Sequence, residues 1–431
     1  MQLHLQETQI DSMKQKYILI ILCTLLFACN KVDNEGKLSD YQSAENIIHP
    51  NTLNIHLEKT SEIEIQNPSL DHRFNKMSLD YIYQDSLLYY SYENVIKIVN
   101  LNNGDLSEII LNDFEIRGDI INVLPISKDS ILTLQVMPPI LMINNSKGDI
   151  FYKETLPYFP FDVDDLFWKS MNQIGGKGNF NFNLQQLRNL HFDKKEHTVH
   201  IPMLPVDYIF LEKVTNSQTI GVFDLNSRGW KGGYGKSRGI IRHRGNKNFS
   251  KIFDQNYFLV KGDTSYLSYP VSHHVFLINN KTDELIDEIV ASSTSPESIP
   301  FPIDKDWLTS GDFVKLNEWR AESPFYSELM FHKEPQLFSR FYFHKKSISD
   351  SKKGTYWQNR KITLLVFDIN LNLHQEIPVN TEIFELWRFL PTSDGFIVSE
   401  MNKQKALENA ENIYLGYTVK YRLKKDGDDT K

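Results

Sequence analysis

Ser86-Leu-Leu-Tyr-Tyr-Ser91, Asn94-Val-Ile-Lys-Ile-Val99, a turn at Asn102-Asn103-Gly104-Asp105 and then Leu106-Ser-Glu-Ile-Ile-Leu111 make up the stretch from which the fold is read. Short runs of β-branched and aromatic residues alternate with turn formers, the pattern of antiparallel strands rather than of a helix. Asn-Gly and Gly-Asp supply the positive-φ positions that a tight hairpin demands. Just upstream, Gln84-Asp85 closes another strand-like stretch, so the unit holds strands A to D in sequence.

The unit recurs. Ile131 to Val136, Ile140 to Ile143 and Asp149 to Leu156 repeat it around Asn145-Ser-Lys-Gly148. Thr198 to Leu204 and Thr219 to Leu225 follow, turning at Asn226-Ser227. A fourth unit has Ser265 to Pro270, His274 to Ile278 and Leu285 to Ala291, and a fifth has Leu337 to His344, Ile362 to Asp368 and Leu373 to Val379. The sixth has only Gly395 to Met401 and Tyr417 to Leu423. Turns at Ser127 to Asp129, Asp193 to Lys195, Lys261 to Asp263, Lys333 to Pro335 and Thr392 to Gly395 close the A strands. Repeats of a four-stranded antiparallel unit are the blades of a β-propeller. The short last unit and an orphan strand at Leu53 to Gln66, with Ile55, Leu57, Ile63 and Ile65 apolar, complement one another. Pairing them removes an exposed sheet edge. The prediction is an all-β, six-bladed propeller whose last blade is closed by the N-terminal strand. Seven blades and a two-domain sandwich are the competing arrangements.

Ahead of the repeats, Lys14 and Lys16 precede an apolar run from Tyr17 to Ala28, then Leu26-Phe27-Ala28-Cys29. The run is too short to span a bilayer and reads as an export signal. Leucine three before and alanine directly before the cysteine match a bacterial lipobox, which makes Cys29 the expected lipidation site. Residues 1–28 are then the lipoprotein signal peptide, with Met13 an alternative start. Residues 29–50 are a polar tether, 51–425 the propeller and 426–431 a disordered tail. Cys23 leaves with the signal, so no thiol remains for a disulfide and stability must come from core burial. A hydrophobic share of 41% and an aromatic share of 12% suit a well-cored globular chain. The net charge of −8 gives no global attraction to nucleic acid.

Cys29, the polar tether, the loose blades and an aromatic-Arg-aromatic strand, Phe338-Ser339-Arg340-Phe341-Tyr342, together resemble a family. It is the uncharacterised six-bladed-propeller lipoproteins common in Bacteroidota, a domain-of-unknown-function family. The resemblance implies fold and address. It supplies no catalytic residue to carry over.

Candidate chemistry is sparse. Arg228 to Lys251 holds Lys231, Lys236, Arg238, Arg242 and Arg244 without an acidic residue, in a chain that is acidic overall. With its glycines, Trp230 and Tyr234, it is a candidate anion- or ligand-binding loop, or else a soluble connector between strands C and A. Gly235-Lys236-Ser237 lacks the first glycine of a phosphate-binding loop, which Trp230 replaces. Asp162, Asp164 and Asp165 lack the rest of a calcium loop. His197 and His200 are out of phase on a strand, which leaves His191, His200 and His274 as the remaining zinc combination. Two insertions, Tyr158 to Leu190 and Glu297 to Tyr326, exceed what a blade needs and are expected either to decorate one face, where binding sites form, or to cover an end of the central channel.

The sequence therefore predicts a lipid-anchored module of the cell envelope that binds a partner. No cofactor and no nucleic acid are expected; the partners are the membrane, through the lipid, and an unknown envelope protein or glycan. The alternative is an envelope lyase or hydrolase acting on polysaccharide or lactone, with residues lining the channel. His191, Trp387 and Arg388 are the candidate channel-lining residues.

Overall fold

The computed structural model describes residues 55–64, 81–92, 95–111, 120–135, 139–157, 181–182, 190–204, 218–236, 247–248, 256–297, 303–304, 318–319, 321–346, 360–379, 384–401 and 416–425. Six antiparallel sheets follow one another as the blades of a propeller. Blade 1 is Tyr81–Tyr83, Leu87–Tyr92, Val95–Asn100 and Leu106–Ile110; blade 2 is Ile120–Ser127, Ser130–Gln135, Ile140–Asn145 and Ile150–Thr155. In blade 3 two pieces, Asn181–Phe182 and His191–Asp193, pair with Thr198–Leu204, and Gln218–Asp224 and Gly229–Lys236 complete the sheet. Blade 4 is Tyr257–Lys261, Thr264–Ser268, His274–Asn279 and Leu285–Val290. Blade 5 has Phe325–Tyr326 and Met330–His332 on one edge of Leu337–Phe343, then Ile362–Phe367 and Leu373–Val379.

Blade 6 closes the ring as the sequence predicts. Phe384–Pro391, Gly395–Met401 and Gly416–Lys425 are completed by Ile55–Glu64, which pairs antiparallel with Gly416–Lys425, Ile55 opposite Lys425. A bulge between Lys59 and Ser61 interrupts the ladder without breaking it.

Strand B of blade 5 shows why the blades hold together. All seven residues of Leu337–Phe343 are buried, and the strand's period of two divides them between neighbours. Leu337, Phe341 and Phe343 pack with Phe396, Val398 and Leu423 of blade 6, while Phe338 and Tyr342 pack with Val275 of blade 4. Each such side chain contributes about 1.5–3 kcal/mol relative to exposure. Similar apolar clusters fill the seams between blades 1 and 2, 2 and 3, and 6 and 1.

Polar clips reinforce the seams. Asp283 accepts hydrogen bonds from Gly235 N at 2.8 Å and Gln218 Nε2 at 3.0 Å, tying blade 3 to blade 4. Glu376 of blade 5 takes Thr294 N at 2.6 Å and Ser293 Oγ at 2.7 Å, from the chain leaving blade 4. Ser393 N donates to Asp85 at 2.8 Å, joining blade 6 to blade 1. Between blades 1 and 2 the contact is backbone on backbone: Gly148, with φ of +87°, lies so close to Ile110 O that a Cβ would stand 1.9 Å from it.

Three departures from the sequence reading have physical causes. Gly229–Lys236, expected to begin a connector loop, is the outer strand of blade 3. Its glycines hide the strand pattern, and Trp230 against Phe223 at 5.2 Å with buried Tyr234 supplies the packing. Asn181–Phe182 and Phe325–Tyr326, read as parts of insertions, pair with the B strands of blades 3 and 5. Both pieces are too short to show a period.

Candidate functional site

Consecutive antiparallel strands put the AB and CD turns of every blade at one end of the wheel and the BC and DA connections at the other. The two ends differ sharply in the length of chain they carry. AB turns are 84–86, 128–129, 194–197, 262–263, 333–336 and 392–394, and the CD turns, of which 280–284 and 368–372 are typical, are equally short. Residues with left-handed φ fall here: Gln84, Asp85, His197, Arg228, Asp283, Gln336 and Leu371 all sit in these turns. Side-chain carboxylates brace them, as where Asp193 Oδ1 accepts from Lys195 N at 2.9 Å and Asp368 Oδ1 from Asn370 N at 2.8 Å. The AB turns of blades 5 and 6 are joined directly by Glu334 N donating to Ser393 O at 2.9 Å.

Every long connection leaves and rejoins the blades at the opposite end. These are 65–80, 156–180, 205–217, 237–256, 291–324, 344–361 and 402–415. Both insertions singled out in the sequence, and most of the basic segment, belong to this set. Four of the six tryptophans, Trp168, Trp307, Trp319 and Trp357, fall within it, whereas the short turns contain no Phe, Trp or Tyr. Two of the connections are stitched together, since Lys247–Asn248 pairs antiparallel with Ile303–Asp304 across the path of blade 4.

The predicted basic residues do not form one described cluster. Lys231 reaches Asp224 at 3.4 Å on the outer strand of blade 3, and Lys236 lies 4.0 Å from Asp283 at the end of that strand. Arg238, Arg242 and Arg244 lie outside the described residues, as do Cys29 and Asp162, Asp164 and Asp165. Trp387 and Arg388 belong to strand A of blade 6, where the register shifts between Glu385 and Phe389.

His191 is half-buried on strand A of blade 3, directly opposite His200 in the ladder, with ring centroids 5.3 Å apart. Burial holds its imidazole below the ordinary range. His200 is buried, and desolvation, with His191 nearby, pushes it down to about 4. His200 Nδ1 lies 2.9 Å from the hydroxyl of Tyr234, which also receives Ser265 Oγ of blade 4 at 3.0 Å. With two lone pairs and one proton, the Tyr234 hydroxyl accommodates either neutral tautomer of His200 while accepting from Ser265. This chain of bonds crosses the seam between blades 3 and 4. His274, the third candidate zinc ligand, instead sits 2.8 Å from Glu288 on blade 4. Among the described residues no group of three or more His, Cys, Asp or Glu is placed to hold a metal ion.

Arg340 is fully buried between blades 4 and 5. It donates to Ser272 O and Ala291 O, both at 3.3 Å, and lies 3.7 Å over the ring of Tyr326. Desolvation lowers even this guanidinium to about 10. Its contacts are those of a seam residue, and the topology that supplies them is not visible in the local sequence.

No family model and no curated protein matches the sequence. Solved structures do match the fold. A member of the DUF4221 family from Bacteroides vulgatus is 14% identical, over 88% of this chain and 100% of that one, with a TM-score of 0.60. A candidate exported protein from Bacteroides fragilis is 12% identical, over 88% and 98% of the two chains, with a TM-score of 0.49. The likeness to the DUF4221 member carries the fold alone.

Proposed function

We propose that this chain is an exported, lipid-anchored β-propeller of the cell envelope that binds a protein or glycan partner through its BC/DA end. One observation carries the reading: the long connections all leave and rejoin the blades at one end of the wheel, and their sequences hold four of the six tryptophans, whereas the other end is closed by short braced turns. A rigid scaffold that spends its variable chain on one end is the arrangement of a recognition module. Trp168, Trp307 and Trp357 in those connections are of a type that stacks on sugar rings or peptide side chains, and the lysines and arginines beside them of a type that pairs with anionic groups. The apolar run from Tyr17 to Ala28 supports export, and Cys29 after Leu26-Phe27-Ala28 supports the anchor.

The test is a binding screen of the mature protein against envelope glycans and envelope proteins, followed by loop replacement. Shortening 205–217 or 402–415 to a two-residue turn should abolish binding, and Asn103→Ala or Lys147→Ala should leave it intact. Binding that survives the shortened connections and is lost on the turn substitutions would overturn the assignment. For the anchor, Cys29→Ala should move the protein from the detergent phase to the aqueous phase.

A further inference from the structure

We infer that the propeller is held by its short-turn end, so that a lipid on Cys29 turns the AB and CD turns towards the membrane and presents the BC/DA end to partners in the aqueous space. The inference rests on the proposed lipidation and adds a direction to it.

Strand register fixes that direction. Gly416–Lys425 is strand C of blade 6 and follows the BC connection 402–415, so it runs from the BC/DA end towards the short turns. Its last residues are pinned beside the AB turn of the same blade: Leu423 N donates to Asp394 O at 2.9 Å and Arg422 Nε to Asp394 Oδ2 at 2.9 Å. Ile55–Glu64 runs antiparallel to it, Ile55 opposite Lys425 and Glu64 opposite Tyr417. Ile55 therefore begins at the short-turn end, where its N–H is fixed to Gln375 Oε1 of blade 5 at 2.6 Å. The preceding chain has to leave from that end. An exit at the other end would need a parallel pairing.

The sizes make the direction consequential. Residues 30–54 separate Cys29 from Ile55, and a random coil of that length has a root-mean-square span of about 28 Å. A blade strand of six or seven residues is about 20–23 Å long. The far end of the wheel thus stands further from the anchor by nearly the tether's own reach. The two ends also differ in what they offer a bilayer. The turns present polar residues such as Asn103, Lys147, Ser227 and Asn280, with one exposed apolar side chain, Ile369, and no Phe, Trp or Tyr to insert.

Energy transfer to lipid tests this on the whole mature chain. Cys29 is coupled through its thiol to a maleimide phospholipid in phosphatidylcholine vesicles that contain an acceptor lipid. A donor dye sits on an azido residue introduced either at position 103, in a CD turn, or at position 361, at the start of strand C of blade 5. Both positions are exposed. Transfer from 103 should exceed transfer from 361 by at least about twofold, given the steep distance dependence over a difference of one strand length. Equal transfer, or more from 361, would overturn the direction. Intact-mass analysis of protein made in the cell tests the anchor separately: an unmodified Cys29 overturns lipidation whatever the vesicles show.

Discussion

His332 offers the sharpest energetic test, because its surroundings demand one protonation state. It is fully buried at the seam between blades 5 and 6, with Nδ1 3.2 Å from Thr392 O and Nε2 2.7 Å from Ser339 Oγ. A carbonyl accepts only, so Nδ1 carries the proton and Nε2 receives the serine hydroxyl. Burial pushes the imidazole down to about 4, against partial compensation from Thr392 O and Asp394. The ordinary value in the unfolded chain is about 6.5. A folded value below the unfolded one means the stabilisation is complete above about pH 6.5 and is lost as the pH falls towards 4. The whole shift corresponds to about 3 kcal/mol, of which about 2 kcal/mol has gone by pH 5. Urea unfolding of the wild type and of His332→Gln at about pH 7 and pH 5 reads this directly. The variant should be less stable at the higher pH, yet its further loss on acidification should be smaller than the wild type's by about 2 kcal/mol. Equal acid losses in the two proteins would refute the reasoning, as would an imidazole nitrogen shift showing charged His332 near neutral pH.

Other perturbations follow from the seams. A Cβ at Gly395 would lie 2.1 Å from Tyr421 O and 2.9 Å from Arg422 Cα; Gly395→Ala should cost about 3 kcal/mol, seen as a lower urea midpoint. Arg340→Lys leaves one ammonium where a planar fork reaches two carbonyls and covers Tyr326, so a loss of about 2–4 kcal/mol is expected by the same assay. Asp283→Ala removes the acceptor for Gly235 N and Gln218, and should cost about 2 kcal/mol with faster amide exchange at Gly235; unchanged exchange would show that the clip does not hold blade 3.

Most of the architecture was legible because strands alternate and turns need particular residues. Leu373–Val379 and Gly395–Met401 stand where the sequence placed them, and the orphan N-terminal run pairs with the short last unit. Blade 3 was only half legible. Its outer strand, Gly229–Lys236, contains too many glycines and cations to show alternation, and its stability comes from Trp230 and Tyr234 packing on residues distant in the chain or on facing strands. Long segments were visible in the sequence as insertions, and the strand order assigns the points where they leave and rejoin the blades to one end. The partners of Arg340 and His200 were not legible, since Ser272 O and Ser265 Oγ belong to neighbouring blades. Local sequence constrains a side chain's type; only the seam decides what it touches.

Closure of the ring by the first strand can be measured with one engineered bond. His56 and Lys424 face each other in the ladder, and antiparallel partners lie about 4.5–5.5 Å apart at Cα, within disulfide reach. In the folded protein, His56→Cys with Lys424→Cys should oxidise to a single intramolecular bond found by peptide mapping, and the bond should raise the unfolding midpoint. Thiols that stay free under native conditions and pair only after denaturation would contradict the closed wheel.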